Sequence, residues 1–199
     1  MNEMTAQRKV CRETRAAEGL ARWRWTTTEL IRLTELGVFR AEDKFELIGG
    51  EIVPMSPAGR KHEVVREDLE NALRARCPAT VGVVGEPQLN LTDDTYTEPD
   101  ILVRPIAIRT PDVRGDTVLL VVEIAASSKG YDLATKAALY AQYGVREYWV
   151  VDAATLETTM HRDPSAIGYA SIVLVPASNV LTPLLAPELA VRLSELDVD

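Results

Sequence analysis

Cysteine is nearly absent from this chain, and no long apolar run interrupts it. Only Cys11 and Cys77 occur among 199 residues, far apart and without the spacing of metal ligands. We therefore expect no disulfide framework and a reducing, cytoplasmic compartment. No stretch approaches the roughly 18 apolar residues of a membrane-spanning helix, and the start lacks the apolar centre of a secretory signal. Neither membrane insertion nor secretion is expected.

An excess of positive charge is also lacking. The chain carries 22 basic and 30 acidic side chains, a net charge of −8. This balance argues against a broadly basic nucleic-acid-binding protein, because phosphate neutralisation supplies most of such affinity. Residues 1–25 differ, with a local balance of +3 that leaves −11 for the remainder. We predict a flexible or helical basic arm over 1–25 and a single domain over 26–199.

The first half of the chain is predicted to form a helix, a hairpin, a second helix and a strand. Thr26 and Glu29 have the spacing of a capping box at a helix start. Gly49 and Gly50 are typical of a hairpin turn. Apolar periodicity predicts a helix over 61–76, and residues 80–91 are interpreted as one strand with an irregularity between positions 85 and 87.

The second half alternates strands and a helix. After the turn TDDTY and a strand near residues 101–103, VLLVVEIA (118–125) has no polar alternation before its glutamate, which indicates a strand buried on both faces. A helix over 131–143 is long enough to connect it in parallel to EYWVVD (147–152). A hairpin with its turn near Asp163 and Pro164 follows. The pattern predicts an α/β domain with a mixed sheet.

Three charged residues occupy positions that should be buried. Asp100 enters an apolar strand, Glu123 lies near the end of the next one, and Lys136 lies on the following helix. Such charges are costly to bury unless they pair or bind a metal. Asp100, Glu123 and the backbone carbonyl of Ile124 would suit Mg²⁺, which prefers oxygen ligands. Lys136 could orient or deprotonate a water, or stabilise a pentacovalent phosphate.

Each of these residues also has a structural interpretation. Glu123 could be a solvated strand-end carboxylate, and Lys136 an exposed helix lysine. Asp132 favours a helix N-cap, although Asp132, Lys136 and Tyr140 share one helix face. The tyrosines and Trp149 favour core packing. The combination, rather than any single residue, indicates a site.

A family resemblance adds to this interpretation. The blocks PD, VVEIAASS and YDLATKAALYAQYGVREYWVVD, with KFELIGGEIVPMSP and a following histidine upstream, resemble the Uma-type family of predicted endonucleases. That family belongs to the restriction-endonuclease-like superfamily with the PD-(D/E)XK pattern. The resemblance covers roughly 26–196. It implies a restriction-endonuclease-like core, with an N-terminal helix and hairpin and a C-terminal hairpin, and a Mg²⁺ site that Mn²⁺ could also fill.

The sequence departs from the superfamily pattern at one position. Two residues after Glu123 stands Ala125 instead of lysine. The resemblance implies that the lysine comes from the helix, as Lys136, since Lys129 lies in a loop expected to be solvated. Glu46 and His62 are additional candidates, for a further metal ligand and for a contact to phosphate or metal-bound water. An exposed hairpin glutamate and a helix-start histidine are their structural alternatives.

Three hypotheses follow. The first is a Mg²⁺-dependent endonuclease acting on DNA, which would need a homodimer to cut both strands. The second is a non-catalytic module on the same fold that binds nucleic acid or a protein, suggested by Ala125 and the net acidity. The third is a structural protein whose buried acids simply pair with Lys136.

Overall fold

The fold is built around a six-stranded mixed sheet and a smaller four-stranded sheet. The computed structural model describes residues 19–40, 42–55, 57–126 and 128–198. Strands β1 to β12 span Phe45–Ile48, Glu51–Pro54, Val81–Gly85, Leu89–Thr92, Thr95–Thr97, Ile101–Pro105, Leu120–Ala125, Glu147–Asp152, Thr158–Ser165, Gly168–Val175, Val180–Leu181 and Val191–Arg192. Helix α1 spans Thr27–Glu35 and α2 Arg60–Ala75. Helix α3 comprises Lys129–Tyr131, a π-helical Asp132–Lys136 and Ala137–Gln142.

The large sheet has the order β10-β9-β8-β7-β6-β3. Strands β7 and β8 are parallel, with α3 as the connection between them, and the other neighbours pair antiparallel. Every residue of β7 is buried. Helices cover both faces: α2 packs through Leu69 and Leu73 on one face, and α3 packs through Tyr140 and Ala141 on the other. The predicted mixed sheet with a parallel crossover is confirmed.

The small sheet, of order β2-β1-β5-β4, carries α1 on one face. Leu30 of α1 packs with Leu47 and Tyr96 of the sheet. The predicted capping box is confirmed, because the Thr26 side chain accepts from the Glu29 N–H while the Glu29 carboxylate accepts from the Thr26 N–H. The predicted hairpin turn is also confirmed, with Gly49 and Gly50 both at positive φ.

Three predictions about strands and turns were wrong. Residues 80–91 form two strands, β3 and β4, in different sheets. The chain breaks between them at Glu86, whose φ of 46° is incompatible with a continuing strand. Part of TDDTY forms β5. The last hairpin turns between Ser165 and Gly168, later than the predicted turn, because Asp163 and Pro164 still lie in β9.

Two further results concern the helices and the termini. Helix α3 begins at Lys129, so the predicted N-cap role of Asp132 was wrong: this residue lies inside the helix. Most of the predicted arm over 1–25 lies outside the described residues. Within the described ranges, no helix is both long enough and apolar enough to cross a membrane.

Candidate active site

Glu123 and Lys136 meet in the interior between the large sheet and α3. Side chains alternate along a strand, and Glu123 therefore lies on the same face of β7 as Ala125, which packs against α3. The Lys136 Nζ donates to Glu123 Oε1 at 2.9 Å. Both residues are buried, with 5% and 4% of their surface exposed. The helix lysine thus reaches the strand carboxylate.

The small sheet supplies a second carboxylate for the same lysine. Glu46 of β1 lies 3.0 Å from the Lys136 Nζ through Oε1, and this oxygen also accepts the backbone N–H of Glu98 at 3.1 Å. Glu46 is 2% exposed, so its alternative as an exposed hairpin glutamate was wrong. The two sheets are joined at the site through one buried ammonium group.

Asp100 stands where β6 begins, beside the end of β7. One of its oxygens, Oδ2, accepts the backbone N–H of Ile124 at 2.6 Å. The carbonyl of Ala125 accepts from the Ala153 N–H on the β8 side. Because consecutive strand residues direct their backbone groups to opposite edges, the carbonyl of Ile124 faces the Asp100 side. The two strand ends thus bring together the side chain of Asp100 and the backbone of Ile124.

His62, in the first turn of α2, contacts Asp100 directly. Its Nε2 lies 3.1 Å from both carboxylate oxygens. The hydrogen bond to Asp100 raises the pKa of His62, and this effect outweighs the opposing effect of burial. His62 therefore pairs with the aspartate at the edge of the site, as well as standing at the start of a helix.

The π-helical segment of α3 brings Asp132 and Lys136 to the same buried side. Asp132 is 3% exposed and accepts from the Ser128 hydroxyl at 2.5 Å. The Tyr148 hydroxyl donates to the backbone carbonyl of Asp132 at 3.2 Å. Short π segments within α-helices are frequent at functional sites, and here β8 holds the segment in place through a tyrosine.

Tyr140 completes the inner side of the cluster. Its hydroxyl donates to Glu123 Oε1, 3.1 Å away, and lies 3.0 Å from the Thr97 hydroxyl. Its interpretation as core packing alone missed this polar contact. In the sequence, the spacing of four residues between Lys136 and Tyr140 indicated that Tyr140 lies near the site. No sequence pattern indicated Thr97, because its position on β5 depends on how the strands of the small sheet pair.

The charges of this cluster do not balance. Burial raises the pKa of Glu123 well above its usual value, and the neighbouring carboxylates Asp100, Glu46 and Asp132 raise it further. The Lys136 ammonium opposes that rise. Burial alone would lower the pKa of Lys136, but the attraction of its carboxylate partners outweighs it, so the pKa of Lys136 is raised and the ammonium is retained. Four acids thus surround one lysine and one histidine.

The donor set fits a hard cation with few protein ligands. No group of three His, Cys, Asp or Glu side chains placed to hold a metal occurs in the described part of the chain. Mg²⁺ needs no such group, because it is usually held by one or two carboxylates and keeps several waters. Asp100, Glu123 and the Ile124 carbonyl are oxygen donors of this kind, in a region with excess negative charge.

Lys129 takes no part in the cluster. Its Nζ binds Asp152 at 2.6 Å, and its side chain is 46% exposed. The expectation that it is solvated is confirmed, although Lys129 begins α3 instead of lying in a loop and forms this ion pair at the end of β8. Lys136 is the lysine that contacts the buried acids.

The mixed sheet, flanked by helices and carrying acids at adjacent strand ends, defines a restriction-endonuclease-like fold. A solved structure described as a putative nuclease belonging to DUF820, from Anabaena variabilis, has this fold. It aligns with a TM-score of 0.66 and 17% identity, covering 85% of this chain and 96% of that one.

The particular family follows from the sequence itself. Residues 28–198 match the Uma2 family, described as "Putative restriction endonuclease". The chain belongs to this family. None of the curated proteins compared with the chain matches it.

Proposed function

We propose that this protein is a metal-dependent endonuclease that hydrolyses phosphodiester bonds in DNA. The observation that carries the proposal is the buried Lys136, held by Glu123 and Glu46 at 2.9 and 3.0 Å, while Asp100 directly precedes β6, the strand that pairs with the strand of Glu123. The family description and the solved neighbour, described as a "putative nuclease", support the same chemistry.

The excess of buried acid supports a cation at this site. Holding several carboxylates together in a poorly solvated region is unfavourable unless positive charge compensates them. Lys136 provides one such charge. A divalent ion beside Asp100 and Glu123 would provide the rest, and it would favour the ionised form of Glu123 that burial disfavours.

Asp100 and Glu123 would hold the metal, with the Ile124 carbonyl as a third oxygen donor. Mg²⁺, or Mn²⁺ in its place, supplies a more acidic bound water and neutralises charge that develops on phosphate. The protein must keep the two carboxylates in place. It does so for Asp100 through the N–H of Ile124 and for Glu123 through Tyr140.

Lys136 has two possible roles, and its environment favours one. Two carboxylate partners raise its pKa, so it keeps its proton near neutral pH and is a poor general base. A fixed ammonium group can instead orient the attacking water and stabilise the anionic oxygens of the phosphate as charge accumulates. We therefore assign Lys136 as an electrostatic donor.

A second candidate function is a non-catalytic module on the same fold. One observation favours it: Glu123 Oε1 already accepts from both Lys136 and Tyr140, so the oxygen is occupied by protein donors. In that case the cluster would be a closed polar network that stabilises the fold.

Cleavage assays with a matched control separate the two functions. We expect the wild type to nick plasmid DNA or cut single-stranded DNA with Mg²⁺ or Mn²⁺, and Asp100→Asn to lower the rate by roughly 100-fold or more. Asp112→Asn is the control, because Asp112 also follows a proline but lies on the surface beside Arg109. Absence of turnover by the wild type with either metal favours the non-catalytic module.

A further inference from the structure

The hydroxyl of Tyr131 is buried but has no hydrogen-bond partner among the described residues. Buried polar atoms nearly always have a partner, and an exception in a native structure calls for an explanation. Tyr131 directly precedes the π-helical segment that carries Asp132 and Lys136. The unpaired hydroxyl therefore belongs to the residue that leads into the acid–lysine cluster.

Tyr131 lies close to the charged groups of the site. The Lys136 ammonium is 5.9 Å from the centre of its ring. Burial raises the pKa of Tyr131 to about 12, and among the charged groups the Glu46 carboxylate contributes most to that rise. The phenol thus keeps its proton near neutral pH, so its hydroxyl remains a hydrogen-bond donor.

Two other tyrosines at the site provide the comparison. The Tyr140 hydroxyl donates to Glu123, and the Tyr148 hydroxyl donates to the carbonyl of Asp132. Each therefore has an internal acceptor and a positioning role. Tyr131 stands among the same carboxylates, which influence its pKa, yet none of them accepts its proton. Its donor is buried and unpaired in a region rich in acceptors.

We propose that Tyr131 is a further catalytic residue, whose hydroxyl donates to a non-bridging oxygen of the scissile phosphodiester. This inference rests on the proposed nuclease function. An anionic phosphate that approaches a cluster of carboxylates is repelled by them, so it needs hydrogen-bond donors that contact its own oxygens. The Lys136 ammonium, over the Tyr131 ring, supplies one, and the Tyr131 hydroxyl supplies a second that is neutral and already desolvated.

The substitution Tyr131→Phe removes this hydroxyl and keeps the ring. We expect kcat/KM for DNA cleavage to fall roughly 10- to 100-fold, the range for one hydrogen bond to a charged acceptor. The melting temperature should not fall, because the hydroxyl makes no hydrogen bond within the described protein. Tyr143→Phe is the matched control: Tyr143 caps the opposite end of the same helix, beside Gly115, and its loss of a hydroxyl should leave cleavage unchanged.

A second measurement identifies the phosphate as the partner. Replacing a non-bridging oxygen of the scissile phosphate by sulfur weakens its acceptance of a hydrogen bond. In the stereoisomer whose sulfur faces Tyr131, the combined loss in kcat/KM from the sulfur and from Tyr131→Phe should be smaller than the two separate losses predict. Additive losses for both stereoisomers, or a Tyr131→Phe enzyme as active as the control, would overturn the assignment.

Binding of a DNA oligonucleotide in Ca²⁺, measured by fluorescence anisotropy, separates this inference from the proposed function. If the wild type binds DNA in Ca²⁺ but does not cut it with Mg²⁺ or Mn²⁺, the nuclease proposal fails, but weaker binding by Tyr131→Phe than by Tyr143→Phe still supports the phosphate contact. If the wild type cuts DNA and the two variants behave alike, only the Tyr131 assignment fails. If the wild type neither binds nor cuts, both fail.

Discussion

Two glutamates on neighbouring strands, Glu123 of β7 and Glu147 of β8, are both buried among apolar residues and both pair with a basic side chain. Glu147 is 0% exposed and accepts from Arg162 at 2.9 and 2.6 Å. It also accepts from the Trp149 indole at 2.9 Å and from the backbone N–H of Leu184 at 2.5 Å. Both of its oxygens therefore have protein donors.

The difference lies in what surrounds each pair. Glu147 forms a closed group with Arg162, and Arg162 also donates to the carbonyl of Thr182, so the pair fastens the segment after β11 to the sheet. Glu123 shares Lys136 with Glu46 and lies within electrostatic range of Asp100. A buried acid with balanced charge is a structural feature, whereas a buried acid in excess is a candidate for binding a cation.

The largest effect should come from breaking the balanced pair. Glu147→Ala leaves the Arg162 guanidinium and the indole without their acceptor, and we expect a loss of about 3–5 kcal/mol in the free energy of unfolding. Glu123→Ala leaves Lys136 with Glu46 and relieves repulsion among the acids, so its loss should be below about 2 kcal/mol. Urea unfolding of the two variants measures the difference.

Equal losses in the two variants would contradict this comparison. They would mean that Glu123 contributes to folding as Glu147 does, and that the acids at the site are compensated by the protein alone. That result would favour the structural hypothesis in which the buried acids simply pair with Lys136.

The sequence could not separate the two glutamates. Both occur within strongly apolar strands, in VVEIA and EYWVV, and the cost of burying an acid predicts a partner for each. Asp100, Glu123 and Lys136 were identified because the strand and helix patterns placed them near one another. Glu147 was not singled out, since its partner Arg162 lies on β9, a pairing that depends on sheet register.

Contacts between distant segments account for the other omissions. Glu46 was an additional candidate ligand, but its burial depends on the small sheet meeting α3, which no local pattern reveals. The π-helical segment has no signature in DLATK. The split of residues 80–91 depends on the positive φ at Glu86, a conformation that a glutamate rarely adopts.

A smaller effect should appear when the basic partner of each pair is removed and a divalent metal is added. Lys136→Met leaves the acids without their ammonium, so Mn²⁺ should bind there and stabilise the variant by roughly 2–3 kcal/mol at 100 times its Kd. Arg162→Met leaves Glu147 as a single acid that still accepts from the Trp149 indole and the Leu184 N–H. Mn²⁺ should therefore not change the melting temperature of this variant. Thermal unfolding with and without Mn²⁺ tests both.

The control for this experiment is Lys136→Met combined with Asp100→Asn. It should lose most of the stabilisation by Mn²⁺, since one of the two proposed carboxylate ligands is gone. Equal stabilisation of the Lys136→Met and Arg162→Met variants would show that the metal binds elsewhere. The excess of acid around Glu123 would then not distinguish it from Glu147 as a cation site.

The smallest predicted effect is a pH dependence of stability, which we expect at the site with Asp100 and His62 but not at the pair of Glu147 and Arg162. The pKa of His62 is raised above 6.5 by its hydrogen bond to Asp100, so protonated His62 stabilises the fold. That contribution is fully present below pH 6.5 and is lost as the pH rises through the raised pKa. His62→Gln should therefore be less stable than the wild type at pH 5.5, by under about 1 kcal/mol because His62 is partly solvated, and the difference should shrink by pH 8.5.

Thermal unfolding at the two pH values measures this change, which corresponds to at most about 2–4 °C in melting temperature for a chain of this size. The loss caused by Arg162→Met should stay constant over the same interval, because a guanidinium does not release its proton there. If the stability difference between the wild type and His62→Gln grew with pH instead, the link between His62 protonation and folding would have the opposite sign. It would mean that neutral His62 is the form that the fold prefers, and that Asp100 is held by other groups.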